Sequence, residues 1–237
     1  MQPAAQKLVP GLIGMAVPTN IVYYKEMYAA AAVLSGVEES CHSVMTTINF
    51  SRCVTAFRTG DWSGFSSLLA DAARSLELGG AGFIVITSNT GHTAAQAIRE
   101  AISLPVLDMV DETCRYLVER KFHKVGLLAT SRTYQSQMYP RAAAGSIEFV
   151  ELSPTLSAKV DQIILNELIF GRVSQEGLDV LRSAIQSQME QGADCIALAC
   201  TDLTLIRSQL EDSLMLPIVD TTLLHAIAAA RMAFEGK

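Results

Sequence analysis

Two residues in this chain stand where proton-transfer chemistry would be placed. Ser88 lies in Phe83-Ile-Val-Ile-Thr-Ser-Asn-Thr-Gly-His92, and Cys200 lies in Asp194-Cys-Ile-Ala-Leu-Ala-Cys-Thr-Asp202. Each closes an apolar run preceded by Gly-Ala, at Gly80-Ala81 and Gly192-Ala193, and the two stretches are 112 residues apart (200 minus 88). The same offset relates Leu104-Pro-Val-Leu-Asp108 to Leu216-Pro-Ile-Val-Asp220. A hydroxyl and a thiol at equivalent strand ends suit stereochemical inversion at carbon: one group removes a proton from one face, the other returns a proton to the opposite face. A thiolate is the better base of the two, particularly beside amide donors or a helix N-terminus. The Thr201-Asp202 pair and the start of a short helix would supply that setting.

The elements that must carry these residues alternate between strand and helix. Strands are expected at 9–15, 43–50, 83–87, 104–108, 124–130, 147–152, 195–200 and 216–220, with helices at 21–34, 62–78, 92–101, 111–121, 158–171, 174–191 and 222–234. Such alternation implies parallel sheets with right-handed crossovers, and ligands in such sheets bind beyond the carboxyl ends of the strands. The offset near half the chain predicts an α/β fold of two similar lobes with parallel sheets, related by a pseudo-two-fold axis with the active site in the cleft between them. The boundaries expected are 1–105 plus 217–237 for the N-terminal lobe and 106–216 for the C-terminal one.

Bulk properties narrow the partners. Half of the 237 residues are hydrophobic and the net charge is −6, which disfavours nucleic acid. No apolar run approaches the roughly 20 residues that span a bilayer. Five cysteines without disulfide-like spacing fit a reducing cytoplasm. Cys41, Cys53, Cys114 and Cys195 lack metal-ligand spacing and read as structural, so no metal is expected. His92 reads as a helix-start histidine bonded to backbone. His225 is equally consistent with a structural and a functional place, while Asp108 and Asp220 suggest a repeated architectural role.

The motifs also resemble a known family. Ser88-Asn89-Thr90-Gly91-His92 is similar to the Cys-Asn-Thr-x-His motif of the cofactor-independent aspartate/glutamate racemases, and Cys200-Thr201-Asp202 to their Cys-Thr-Glu motif. The resemblance extends through Tyr23-Tyr24, Asn49-Phe50, Gly60-Asp61-Trp62, Lys159 and Asp220-Thr221. It implies two Rossmann-like lobes and racemisation of a small acidic amino acid by paired catalytic residues, without pyridoxal phosphate or any other cofactor, in a homodimer. Some members specific for L-aspartate and L-glutamate carry threonine at the first thiol position, beside a retained second cysteine. By that resemblance Cys200 takes the α-proton of the L-enantiomer and Ser88 reprotonates the opposite face. Asn89, Thr90 and Thr201 would bind substrate beside them, Lys159 would hold the side-chain carboxylate, and Thr47 and Thr130 are further candidates at strand ends. Ser88 departs from the two-thiol pattern, and Gly14-Met15-Ala16-Val17-Pro18 departs from Gly-Gly-Met-Gly-Pro. Two other readings therefore stand beside racemisation: an arylmalonate-decarboxylase-like enzyme using one cysteine, and a protein that binds an acidic amino acid without turning it over.

Overall fold

The structure, a computed structural model, describes residues 6–35, 40–211 and 215–236. It contains two four-stranded parallel sheets of the same connectivity. The first takes β1 (Pro10–Gly14), α1 (Val17–Ser35), β2 (Val44–Thr47), α2 (Phe50–Thr59), α3 (Trp62–Leu78), β3 (Phe83–Ile86), α4 (Ala95–Ala101) and β4 (Val106–Leu107), in the order β2-β1-β3-β4. The second takes α5 (Met109–Glu119), β5 (Lys124–Ala129), α6 (Ser131–Ser136), α7 (Met138–Ala143), β6 (Glu148–Val150), α8 (Pro154–Asn166), α9 (Gln175–Glu190), β7 (Cys195–Ala199), α10 (Arg207–Glu211) and β8 (Ile218–Asp220), ordered β6-β5-β7-β8. A final helix, α11 (Thr221–Glu235), completes the chain's elements. Two compact units result, one running to Asp108 and resuming at Leu223, the other from Met109 to Thr222.

The 112-residue repeat is written into the strand pairing. Ile84 pairs with Val106 in the first sheet, and Ile196 pairs with Ile218 in the second, each partner displaced by that offset. The central strands are buried on both faces, as parallel sheets covered by helices require. Leu12, Ile13 and Phe83 to Ile86 are fully buried in the first unit; Val125, Leu128 and Cys195 to Ala199 are fully buried in the second. In the first core the buried faces of α3 and α4 (Phe65, Leu69, Leu76 and Ile98) pack on Ile84 and Ile86. Cys53, Cys114 and Cys195 are buried as well, and burial pushes the Cys53 and Cys195 thiols up to about 11 and about 12. They behave as small hydrophobes.

Local chemistry explains where the observed elements differ from the expected ones. The strand expected through Phe50 stops at Thr47, because Asn49 caps α2 by accepting from the Ser51 N–H at 3.1 Å. Gly60, at φ +71°, ends α2 in the left-handed conformation that glycine tolerates best. The helix expected at 158–171 starts at Pro154, behind the Ser153 cap, and ends at Asn166; a 3-10 turn, Leu168–Phe170, fills the remainder. Helices α6 and α7 have no counterpart in the sequence pattern. Both are only 6 residues long, and both end on non-glycine residues in the left-handed region, Gln137 and Ala144.

Candidate active site

Ser88 leaves the end of β3 into a 3-10 turn, Thr90–Ala94. Behind it, the buried Thr87 hydroxyl donates toward the Ile13 carbonyl (3.0 Å) and Asn20 Oδ1 (3.1 Å). Asn20 fits there because Gly14 has no side chain: a Cβ at Gly14 would sit 2.7 Å from Asn20 Nδ2. The Ser88 hydroxyl oxygen accepts from the Gly91 N–H at 3.1 Å. That bond occupies an acceptor lone pair and leaves the hydroxyl proton available for donation, while the amide stands ready to stabilise an oxyanion. Asn89 is buried and Thr90 half-buried in the same turn.

Beneath Ser88 lies a buried histidine pair. His92 Nδ1 is 2.7 Å from the Ser88 carbonyl oxygen, so Nδ1 carries a proton and donates. Its Nε2 approaches Asp108 Oδ1 at 4.0 Å, and Asp108 is held at Oδ2 by Arg99 at 2.7 Å. The His225 ring lies 5.7 Å from that of His92. His225 Nε2 donates to the Leu107 carbonyl (3.1 Å) and Nδ1 accepts from the Tyr23 hydroxyl (2.8 Å). Burial, reinforced by His92, holds His225 down to about 3, so it is neutral.

The second unit repeats the arrangement with different chemistry. Cys200 follows β7 in extended conformation and precedes a 3-10 turn, Thr201–Ile206. Its residue is only 7% exposed. Burial, then the Asp202 carboxylate, push its thiol well above the usual range, with Asp161 adding to them; the backbone N–H groups of Asp202 and Leu203 act in the opposite sense. The donors expected from the sequence are therefore present, but burial and two carboxylates outweigh them, and the thiol rests protonated. Asp161, on α8, accepts from the Ser131 N–H at 3.0 Å and from the Ser131 hydroxyl. Asp220 accepts from the Thr204 hydroxyl at 2.5 Å and from the Thr222 N–H at 2.9 Å.

The remaining expected residues fall into two groups. Thr201 is buried immediately after Cys200. Thr130 follows Ala129, whose pairing with Ala199 brings it to the level of Cys200 on the neighbouring strand. Its hydroxyl oxygen also caps α6, accepting from the Thr133 N–H at 3.3 Å. Thr47 is exposed at the end of β2, an outer strand. Lys159 lies in the second turn of α8 and is exposed. It lines a surface groove with Leu156, Glu176, Asp179, Val180 and Ser183. Two helical positions separate it from Asp161, about 200° around the axis, so it faces away from the carboxylate that acts on Cys200. Asp161 and Thr204 are the residues that motif reading missed. Thr204 could have been found, because it stands 112 positions after His92 (204 minus 92). Asp161 had no such mark. Among the described residues, no three His, Cys, Asp or Glu side chains converge as a metal site.

Comparison with known proteins identifies the family of the chain. The family model described as Asp/Glu/Hydantoin racemase matches residues 12–229. The broad specificity amino-acid racemase RacX of Bacillus subtilis (strain 168) is 28% identical over 173 residues, covering 72% of this chain and 74% of RacX. The crystal structure of a candidate Asp/Glu racemase from Yersinia pestis superposes with a TM-score of 0.82 at 31% identity, over 96% of this chain and 99% of that one. An aspartate racemase homologue from Pyrococcus horikoshii OT3 shares the fold at 23% identity, with a TM-score of 0.74 over 96% and 99% of the two chains. With a family match spanning nearly all of its length and both halves of its repeat, this chain belongs to the Asp/Glu/hydantoin racemase family.

Proposed function

We propose that this protein racemises an acidic amino acid, aspartate, glutamate or a close analogue, without a cofactor, using Cys200 and Ser88 on opposite faces of the α-carbon. The observation that carries the reading is the equivalence of the two residues: each closes the third strand of its sheet and enters a 3-10 turn whose amides face it. In the L-to-D direction, the Cys200 thiolate removes the α-proton and becomes a thiol. The electron pair left on the α-carbon takes the Ser88 hydroxyl proton from the other face. The resulting alkoxide is stabilised by the Gly91 N–H and is reprotonated from water, as the thiol returns its proton to water. A substrate ammonium near Asp202 and Asp161 offsets the charges that hold the thiol protonated. Asn89, Thr90, Thr201 and Thr130 offer hydrogen bonds to the substrate and its carbanion. A thiolate is more accessible than a serine alkoxide, so the first step is faster from the L-enantiomer. The working form is a cytoplasmic homodimer, which sedimentation equilibrium checks.

The test is deuterium incorporation at Cα in D₂O, with chiral chromatography, on each enantiomer of aspartate and glutamate. Cys200→Ala should lower exchange by roughly 10³-fold, the scale of a lost general base; undiminished exchange would overturn the assignment. The protonated resting thiol also favours a second reading, in which Cys200 only protonates a carbanion left by loss of CO₂. Release of CO₂ from substituted malonates, without α-proton exchange on amino acids, would establish that reading instead.

A further inference from the structure

The aspartates that close the fourth strands, Asp108 and Asp220, are equivalent by the same 112-residue offset as Ser88 and Cys200. Each is approached by the residue four positions after the candidate catalytic one. In the second unit the Thr204 hydroxyl donates to Asp220 Oδ2 at 2.5 Å. In the first, His92 Nε2 stands 4.0 Å from Asp108 Oδ1 while its Nδ1–H holds the Ser88 carbonyl at 2.7 Å. Both aspartates are fixed independently: Asp220 by the Thr222 N–H at 2.9 Å, Asp108 by Arg99 at 2.7 Å. The Thr204–Asp220 hydrogen bond joins a strand end to the middle of a 3-10 turn; in the first unit His92 and Asp108 face each other across the equivalent places at 4.0 Å, beyond hydrogen-bond reach, an electrostatic contact that attracts when His92 is an imidazolium. The first amides of each turn lie beside the reacting atom. Those amides are Gly91 N–H, which donates to Ser88 Oγ, and beside Cys200 the N–H groups of Asp202 and Leu203, the latter donating to the Cys200 carbonyl at 3.1 Å.

Resting on the assignment of Ser88 and Cys200, we propose that Asp108 and Asp220 are matched positioning residues, each pinning the turn whose amides stabilise the anion formed on its catalytic neighbour. Neither aspartate touches the reacting carbon. They act through His92 and Thr204, and the difference between these two makes the device asymmetric. A turn released from its strand lets the amides drift from the sulfur or oxygen, and a misplacement on the order of 1 Å can cost roughly 100-fold in rate. The alternative, that the aspartates only cap the helices beginning after them, leaves the 3-10 turns in place when Thr204 or His92 loses its link.

The experiment compares Thr204→Val, Thr204→Ala, Thr204→Ser and His92→Asn with wild type in the Cα deuterium-exchange assay, each with its thermal midpoint. Thr204→Val should lower kcat at least tenfold with little change in KM, and Thr204→Ser, which keeps the hydroxyl, should recover most of that loss. Iodoacetamide should alkylate Cys200 more slowly in Thr204→Val at any given pH, because the amides no longer favour the thiolate while Asp202 and Asp161 still oppose it. His92→Asn keeps a donor for the Ser88 carbonyl but loses Asp108, so a fall in kcat there assigns the effect to the aspartate. Should Thr204→Val fail to fold, Thr204→Ala is read in its place. An active wild type whose variants keep kcat and alkylation rates within twofold overturns the positioning role alone. A wild type that exchanges no α-proton overturns the proposed function with it.

Discussion

At Cys200 two influences oppose one another, and their balance sets how the residue responds to pH. Burial and the Asp202 and Asp161 carboxylates favour the thiol, and the amides favour the thiolate, with burial dominant. A thiol held above its ordinary range gains thiolate as pH rises, so alkylation by iodoacetamide and kcat/KM should both climb through the alkaline range. Asp161→Asn removes one opposing charge and should shift both profiles to lower pH; an unchanged profile would count against Asp161 as a neighbour of the sulfur. At Ser88, replacement by cysteine supplies a more acidic group in a turn that already offers the Gly91 N–H. Ser88→Cys should raise kcat from the D-enantiomer most, measured by polarimetry from each side. The equilibrium constant of a racemisation is unity, so kcat/KM must stay equal in the two directions and the asymmetry can show only in kcat and KM separately. The positions of Ser88 and Cys200 were legible because a strand ending in small polar residues occurs twice at one offset. Asp161 was not, since it reaches Cys200 from a helix roughly 40 residues earlier and looks in sequence like any polar helical residue. Lys159, which the resemblance marks as a holder of the substrate's side-chain carboxylate, lies exposed in the α8–α9 groove.

Among the elements, those read correctly are the continuously buried central strands and a long helix whose burial is periodic. Trp62–Leu78 was expected as a helix and occurs with those bounds, between an Asp61 cap and Gly79. Short elements carry too little pattern, and α2, α6 and α7 are set by caps and left-handed residues more than by periodicity. The join between α9 and its sheet depends on one polar side chain that no pattern marks. Gln188 is fully buried, and its Nε2 donates at 2.8 Å to both the Leu127 and the Val150 carbonyls, on β5 and at the end of β6. Gln188→Met keeps the length of the side chain but leaves two buried carbonyls without this donor. It should cost roughly 2–4 kcal/mol in urea unfolding, with an unchanged slope against urea concentration.

Over the whole molecule, α11 ties the chain's two stretches of the first unit together. Ala226, Ala229, Ala230, Ala233 and Phe234 are buried, and the Ala233 carbonyl accepts from the N–H groups of Lys7 (2.7 Å) and Leu8 (3.0 Å). His225 adds a pH dependence. Its folded value of about 3 lies below the ordinary 6.5 of a histidine, so the unfolded chain binds a proton that the folded unit refuses. Stability is therefore intact above about 6.5 and is lost as pH falls from there toward about 3. Trp62, the one tryptophan, sits in α3 and reports on this unit. Its fluorescence should reveal a thermal midpoint that drops between pH 7 and pH 4, and His225→Asn should flatten that drop. The interleaving also has a consequence for synthesis. The unit bearing Cys200 is one uninterrupted stretch, Met109 to Thr222, whereas the unit bearing Ser88 is incomplete until α11 has been made. On the ribosome the stretch Met109–Thr222 is thus complete before the earlier unit, which waits for its last helix, so the order of translation and the order in which the units are completed run in opposite directions.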